Sequence, residues 1–542
     1  MPDGVPRMRW WGWGDPAHAS ALQPHALELL RTRVGVAPAP VPPVALSAVR
    51  LQESALGERA ADRLRALLGA ERVLATHEER VLHAAGKGYP DLVRLRRGEP
   101  GAAPDAVAYP ASAQQLAELL ALCAEESIAV VPFGGGTSVV GGVAPLRAGH
   151  AAVLTVDTAA MRALSVDPVS NLARVQAGMR VRELESALAT QGLTLGHYPQ
   201  SYEYVTVGGC AASRSAGQAS TGYGTFDAMV KGVSAITPRG PLLTLAVPHS
   251  AAGPALRELI VGSEGVLGVI DEVALRVRRA PDERLYEGYL FPDFEHGSRA
   301  LRELAQARAL PDVARLSDEE ETEVTLALAG PAAARAASLY AALRRRRGGC
   351  LAIVGFEGSD GAARARRRRA RAVLRRCGGA ALGSAVGRAW EHGRFAAPYL
   401  RDELLTLGVM VETFETATAW ADVAALHEGV GDAVRGALGA LGTPPMVMCH
   451  LSHVYETGSS LYFTAIARQV EGGEIEQWQA LKDAAGAAIT AAGATITHHH
   501  ALGVDHLRWV DAEIGASGVA ALRALKRELD PAGIMNPGKL AG

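Results

Sequence analysis

The chain has almost no net charge: 55 lysines and arginines stand against 57 aspartates and glutamates, a formal −2 over 542 residues. That removes the global positive field on which nucleic-acid binding relies, so no nucleic-acid partner is expected and any basic contact surface must be local. Cysteine is scarce. The five, at positions 123, 210, 350, 377 and 449, are odd in number, scattered and form no CxxC pair, which fits a reducing compartment. No apolar run reaches the roughly 18 residues of a membrane-spanning helix, and the opening MPDGVPRMRWWGWGDP lacks the basic-then-apolar order of a secretory signal. A soluble, cytoplasmic protein is expected.

What is present is length and a changing texture. At 542 residues the chain exceeds the roughly 250–300 at which one hydrophobic core stops growing, so two large units with an appendage are expected. Residues 1–100 read as a mostly helical extension: RWWGWG, then PHALELLRTRVGV, a proline-rich connector that forbids a helix, and ALGERAADRLRALLGAERV. Over residues 101–280, short β-branched runs are separated by glycines (IAVVPFGGGTSVVGG, AAVLTVDT, LARVQAGMRV, GVSAITPRG, GVLGVIDEVALRVRRAP). They follow a helical stretch with Leu116, Leu119, Leu120 and Cys123 on one face. A second α/β segment fills 281–494, and 495–542 form a closing segment with a helix stopped at Pro531. Twelve arginines crowd between Arg344 and Arg376. They read either as a solvated helix face or as a patch for anionic lipid head groups, each basic residue near such a surface adding about 1 kcal/mol.

The loop VPFGGGTSVVGG at 131–142 follows a predicted strand. Successive glycines let backbone N–H groups crowd an anion, and Thr137 and Ser138 add hydroxyls. It is neither a GxGxxG turn nor a GxxxxGK[ST] loop, since no helix and no lysine follow. It reads as a pyrophosphate cradle or as a tight structural turn. Two more loops of similar kind, PQSYEYVTVGGCAASRSAG at 199–217 and GSEGVLGVI at 262–270, and DPAGIMNPGKL near the end accompany it.

This quartet, in this order, resembles the flavoproteins of the vanillyl-alcohol oxidase and p-cresol methylhydroxylase type. The resemblance implies an α+β fold: a two-subdomain FAD-binding domain at 101–280, an α/β cap domain over substrate at 281–494, and a last segment at 495–542 returning to the FAD site. No histidine lies near the first loop, where covalently flavinylated members carry one, so noncovalent FAD is expected. Further stretches, WWGWG, TPRG, ARLSDEEE, YLRDELLTLGVMVETFET, CHLSHVYETGSSLYF and THHHALG, are similar to the alkyldihydroxyacetonephosphate synthases. These exchange the acyl chain of 1-acyl-dihydroxyacetone phosphate for a long-chain fatty alcohol in ether lipid synthesis, redox-neutrally, through an adduct at flavin N5. The resemblance implies a homodimer; peripheral contact with an anionic membrane surface rests on the lipid-patch reading of the arginines.

Residue by residue, the resemblance makes Tyr462 the acid/base group, Arg401 a substrate-binding arginine and Arg315 one needed for activity. His498, His499 and His500 join them in the active site, with no metal. Phenolate has an ordinary pKa near 10, so Tyr462 in this role calls for nearby positive charge, from Arg315 or the histidines. The flavin contacts implied are Pro132, Phe133, Gly134, Gly135, Gly136, Thr137 and Ser138; Gln200, Ser201, Tyr202, Glu203, Tyr204, Val205 and Thr206; Ser213, Arg214, Ser215 and Ala216; and Glu264, Gly265, Val266, Leu267, Gly268, Val269 and Ile270. Gln200 departs from the family, which carries an acid there, and Val266 replaces a common threonine. The apolar run in 401–414 suits either an alkyl tunnel or core packing.

Two other functions stay open on the residues. One is an FAD-dependent dehydrogenase or oxidase of a 2-hydroxy acid or alcohol on the same scaffold. The other is a metal- or lipid-binding protein using the histidines and arginines. On a strand, His498 and His500 would converge while His499 pointed away, and His450, His453 or His506 would have to complete a zinc set.

Overall fold

The computed structural model describes residues 7–15, 22–330, 335 and 349–540. Its first sheet has the order Val73–Leu74, Ala106–Ala108, Ala152–Asp157, Ile128–Phe133, the last three mutually parallel. Helix Ala113–Glu125, capped by Ser112, covers it, and Leu116, Leu119, Leu120 and Cys123 are completely buried as the 3.6-residue period requires. Each such leucine contributes about 1.5–3 kcal/mol of burial. The first hundred residues are no loose appendage. Val73–Leu74 is a strand of this sheet, and helix Glu58–Leu68 shares its core through Leu64 and Leu68.

A second, antiparallel sheet follows, ordered Leu164–Asp167, Leu172–Gln176, Val269–Arg276, Val230–Thr237, Gly240–Leu243. Three of the β-branched runs read from the sequence are its three central strands, and the other two, Ile128–Phe133 and Ala152–Asp157, lie in the first sheet. The C-terminal stretch returns to the first sheet: Asn536 N–H donates to Val130 O at 2.7 Å, and the Lys526 ammonium to Val266 O at 3.0 Å.

The cap is a seven-stranded antiparallel sheet, ordered Ala380–Gly383, Glu283–Phe291, Cys350–Gly358, Val313–Ser317, Met446–Val454, Gly458–Arg468, Val409–Ala419. Alternation puts Leu316, Cys449, Leu451, Leu461, Phe463 and Phe414 under helices on one face. Arg315, His450, Tyr462 and Glu415 fall on the other. Leu405 and Met410 join the helix-side core and Leu404, Val409 and Val411 a smaller one, so these residues of the apolar run after Arg401 serve core packing.

The arginine-rich stretch is also resolved by its partners. On helix Ala362–Arg376, Arg364 pairs with Glu283, Arg366 with Asp312, Arg367 and Arg371 with Glu287, and Arg376 with Glu303. The helix face is largely neutralised by the cap's own carboxylates, which weakens the lipid-patch expectation. Residues 344–347 lie outside the described residues. The five cysteines are buried and free, and no helix among the described residues is long and apolar enough to cross a membrane.

Candidate functional site

The glycine loops meet one another. A Cβ on Gly134 would stand 2.2 Å from Thr206 Oγ1, one on Gly135 2.2 Å from Tyr204 O, and one on Gly265 2.7 Å from the Pro132 ring. Gly136 is left-handed at φ +64, with Phe133 against it. Gly262 N–H donates to Ala211 O at 2.9 Å, and Asn536 Nδ2 donates to Gly142 O and Glu264 O. The four stretches quoted from the sequence therefore form one surface.

That surface fits a dinucleotide. The N–H groups of Gly135, Gly136, Thr137 and Ser138 find no protein acceptor among the described residues, and Gln200 Nε2 and Ser263 Oγ are buried without partners. Unmatched donors at a half-buried groove are what phosphate oxygens and ring carbonyls satisfy. Because overpacking costs about 1–3 kcal/mol, Gly135→Val is expected to weaken FAD binding by about tenfold to a hundredfold. The measurement is flavin content after gel filtration of folded protein. Full retention would remove these loops from the cofactor site.

Not every residue expected at the flavin offers it a side chain. Val205, Ala216, Val266, Leu267, Val269 and Ile270 are core residues, so any contact of theirs falls to the backbone. Tyr202 stacks on Phe395, and the Tyr204 ring meets Trp13 and the Arg180 guanidinium. The Glu203 carboxylate accepts from Tyr399, and Thr206 caps helix Val207–Ser213. Ser213 donates to Gly209 O, Ser215 bonds His197, and Arg214 turns away to Val261 O and Glu258. Glu264 uses its carboxylate on the N–H groups of Leu502 and Gly503, at 2.9 and 2.7 Å. Gln200 accepts from Gln218 Nε2 at 3.2 Å, and Ser201 is half-buried.

Facing the loops, strand register sets Glu415, Tyr462, His450 and Ser317 in one row across four strands of the cap. The Tyr462 ring stacks on His450 with centroids 4.9 Å apart and meets His500 edge-on at 5.6 Å. Arg315 reaches His450 Nε2 at 3.2 Å and Glu321 at 2.8 Å, and Glu321 also contacts His450 Nδ1 at 3.0 Å. Burial opposes the Glu321 charge, but Arg315 and His450 outweigh it and bring its pKa down to about 2. Arg315 is thus already neutralised. Burial above all, with Glu415 and Glu412 nearby, pushes Tyr462 up to about 12. The expected phenolate is absent, and the group is a phenol at neutral pH.

Arg401, on helix Ala397–Thr406, is half-buried and donates one Nη to Lys87 O at 2.7 Å. Its Nε and other Nη have no partner. Lys87 N–H in turn donates to Ser138 O at 2.6 Å, so one residue separates the substrate arginine from the glycine loop.

The histidines hang from a residue that sequence reading quoted but did not single out. The fully buried Glu415 carboxylate accepts from the N–H groups of His498, His499 and His500, the last two at 2.9 and 2.8 Å, and from Thr497 Oγ1 at 2.8 Å. Burial works against its charge, yet the imidazoles and N–H groups around it take its pKa well below the usual value. A glutamate at a buried position of a strand was the available signal. The expected alternation of the three rings fails, because this segment is a run of bends wrapped round one carboxylate and not a strand. His498 and His499 share a 3.0 Å Nδ1 contact, His498 Nε2 meets the Tyr455 hydroxyl at 2.7 Å, and His500 is the ring edge-on to Tyr462. The set that converges is His453, His498 and His499, with a ring nitrogen each within 4.8 Å of the others.

Burial, the largest cause, lowers the pKa of His453, His498, His499 and His500, so they are neutral at pH 7. The unfolded chain, titrating near 6.5, takes up those protons first. The stability they contribute is therefore complete above about pH 6.5 and falls as the pH drops below it, and Glu415 adds a second loss below its unfolded pKa near about 4.3. Calorimetry should show a midpoint level from about pH 8 to 7 that declines steadily below about 6.5; a rise on acidification to about pH 5 would contradict this.

Known proteins share this plan. Residues 104–246 match a family model described as FAD binding domain, and residues 280–540 one described as FAD linked oxidases, C-terminal domain. An alkyldihydroxyacetonephosphate synthase from Dictyostelium discoideum is 31% identical over 85% of this chain and 77% of its own. A solved alkyldihydroxyacetonephosphate synthase superposes with a TM-score of 0.84 at 26% identity, covering 98% of this chain and 99% of that one. The fold extends to p-cresol methylhydroxylase, at a TM-score of 0.66 and 15% identity over 91% and 98% of the two chains.

Proposed function

The chain belongs to the alkyldihydroxyacetonephosphate synthase family and is an FAD-dependent enzyme, and from that premise we propose that it exchanges the acyl chain of 1-acyl-dihydroxyacetone phosphate for a long-chain fatty alcohol. The observation that carries this reading is the gathering of Arg401, Tyr462 and the three histidines opposite the glycine loops, with two Arg401 nitrogens unsatisfied in the interior.

FAD, held noncovalently by the first loop, Gln200 and Ser263, supplies the electrophilic ring on which a redox-neutral substitution can run. The protein's own part is to bind and to move protons. Arg401 has two free donors suited to two phosphate oxygens. Tyr462 starts as a phenol, so it first donates to the ketone side of the substrate; it takes the C1 proton only after its own has passed to His500, since both His450 nitrogens are held by Arg315 and Glu321, and a proton is returned to C1 before the product leaves. The C1–O bond to the departing fatty acid breaks, a bond from C1 to the alcohol oxygen forms, and the alcohol's proton leaves with the acid. Arg315 acts through His450, whose orientation it fixes with Glu321. The three histidines serve protons and hydrogen bonds: each neutral imidazole offers one donor and one acceptor, so the 3.0 Å contact between His498 Nδ1 and His499 Nδ1 calls for a proton on one of the two.

The test is anaerobic incubation with acyl-dihydroxyacetone phosphate and labelled hexadecanol. Label in a phosphate-bearing ether lipid, with no electron acceptor added, supports the reading. Bleaching of the flavin by small 2-hydroxy acids without label transfer replaces it with an oxidoreductase.

A further inference from the structure

The RWWGWG motif, remote in sequence from Arg401, is joined to it through Lys87 and Asp402. The Lys87 ammonium donates to Arg9 O at 2.8 Å and Trp10 O at 3.3 Å, while Lys87 O holds an Arg401 Nη. Trp13 N–H donates to the carboxylate of Asp402, the next residue after Arg401, at 2.6 Å. The Trp13 ring sits edge-on against Tyr204 of the second flavin loop, at 5.5 Å. Arg9 and Arg96 stack on Trp11 at 5.0 and 5.3 Å.

The glycines of the motif are required by this contact. A Cβ on Gly12 would lie 2.2 Å from an Asp402 carboxylate oxygen. Gly14, at φ +82, would place one 2.1 Å from the ring of Tyr399, whose hydroxyl donates to Glu203 of the same flavin loop at 2.9 Å. A segment pressed this closely on both Arg401's helix and the flavin loop fixes one against the other.

We propose that residues 9–15 are a positioning strap for phosphate recognition: they hold Lys87 and Asp402, and thereby set where the free Nε and Nη of Arg401 meet the phosphate. This rests on the reading of Arg401 given under Proposed function. The strap touches no reacting atom, and its effect belongs to binding of the phosphorylated substrate, not to the alcohol or the flavin.

The experiment uses the full-length holoenzyme carrying Gly14→Val, Trp13→Ala or Arg401→Lys, with KM measured separately for acyl-dihydroxyacetone phosphate and for hexadecanol. Gly14→Val is expected to raise KM for the phosphate substrate about tenfold, the effect of losing about 1.4 kcal/mol of binding, with KM for the alcohol and the flavin spectrum unchanged. Trp13→Ala, which keeps the N–H bond to Asp402, should shift the same constant in the same sense by less, and it stands in if Gly14→Val does not fold. Equal changes in both KM values, a fall confined to kcat, or loss of flavin would make the strap merely structural and overturn the proposal. If Arg401→Lys leaves KM for the phosphate substrate unchanged, it is the reading of Arg401 that fails, whatever the strap variants do to folding.

Discussion

Glu415→Ala is expected to lower stability by roughly 3–5 kcal/mol and turnover by at least about a hundredfold. Its carboxylate accepts three consecutive N–H groups and a threonine hydroxyl in the interior. Truncation strands these donors, each costing about 1–3 kcal/mol when unsatisfied, although relaxation of the loop toward water recovers part of that. The histidines then lose the anchor that sets their distance from Tyr462. Glu415→Gln separates charge from shape: it keeps the volume but turns one oxygen into a donor facing donors, so it should recover little. Urea unfolding with steady-state assays checks both variants, and near-native values for Glu415→Ala would mean that another group holds the loop.

Tyr462→Phe is the complementary case, a large loss of rate with little loss of structure. The ring's stacking on His450 and edge contact with His500 survive, and only the hydroxyl goes. Removing a positioned acid/base group costs typically about 10²–10⁴ in rate. Flavin content and the unfolding midpoint should stay close to wild type. A variant with wild-type turnover would shift the proton transfer to the imidazoles and leave Tyr462 as a packing residue.

Much of the fold could be read from short patterns, because they are local. The period of Leu116, Leu119, Leu120 and Cys123 marked its helix, and the β-branched runs between glycines marked the strands of both flavin-domain sheets. The candidate site was legible only through resemblance. No spacing in the sequence brings Arg401, Tyr462 and His500 together, since strand order in the cap places Val409–Ala419 beside Gly458–Arg468 and not beside its sequence neighbours. Glu415 escaped because a glutamate within a strand, here one of two with Glu412, carries no motif. The alternation assigned to His498–His500 failed for the same reason: a buried carboxylate from another strand, not a ladder of its own, dictates that backbone. The arginine cluster stayed open between a solvated face and a lipid patch because its counter-charges, Glu283, Glu287, Glu303 and Asp312, are far from it along the chain.

The segment 497–503 is fastened at one end to Glu415 of the cap and at the other to Glu264 of the flavin domain. It behaves as a rivet through both halves. A jaw-like opening of the cap would tear buried donors from two carboxylates at once, so under the proposed reaction the reactants would have to reach the site while the halves stay closed. Heating should then melt the cap and the flavin domain together, in a single transition.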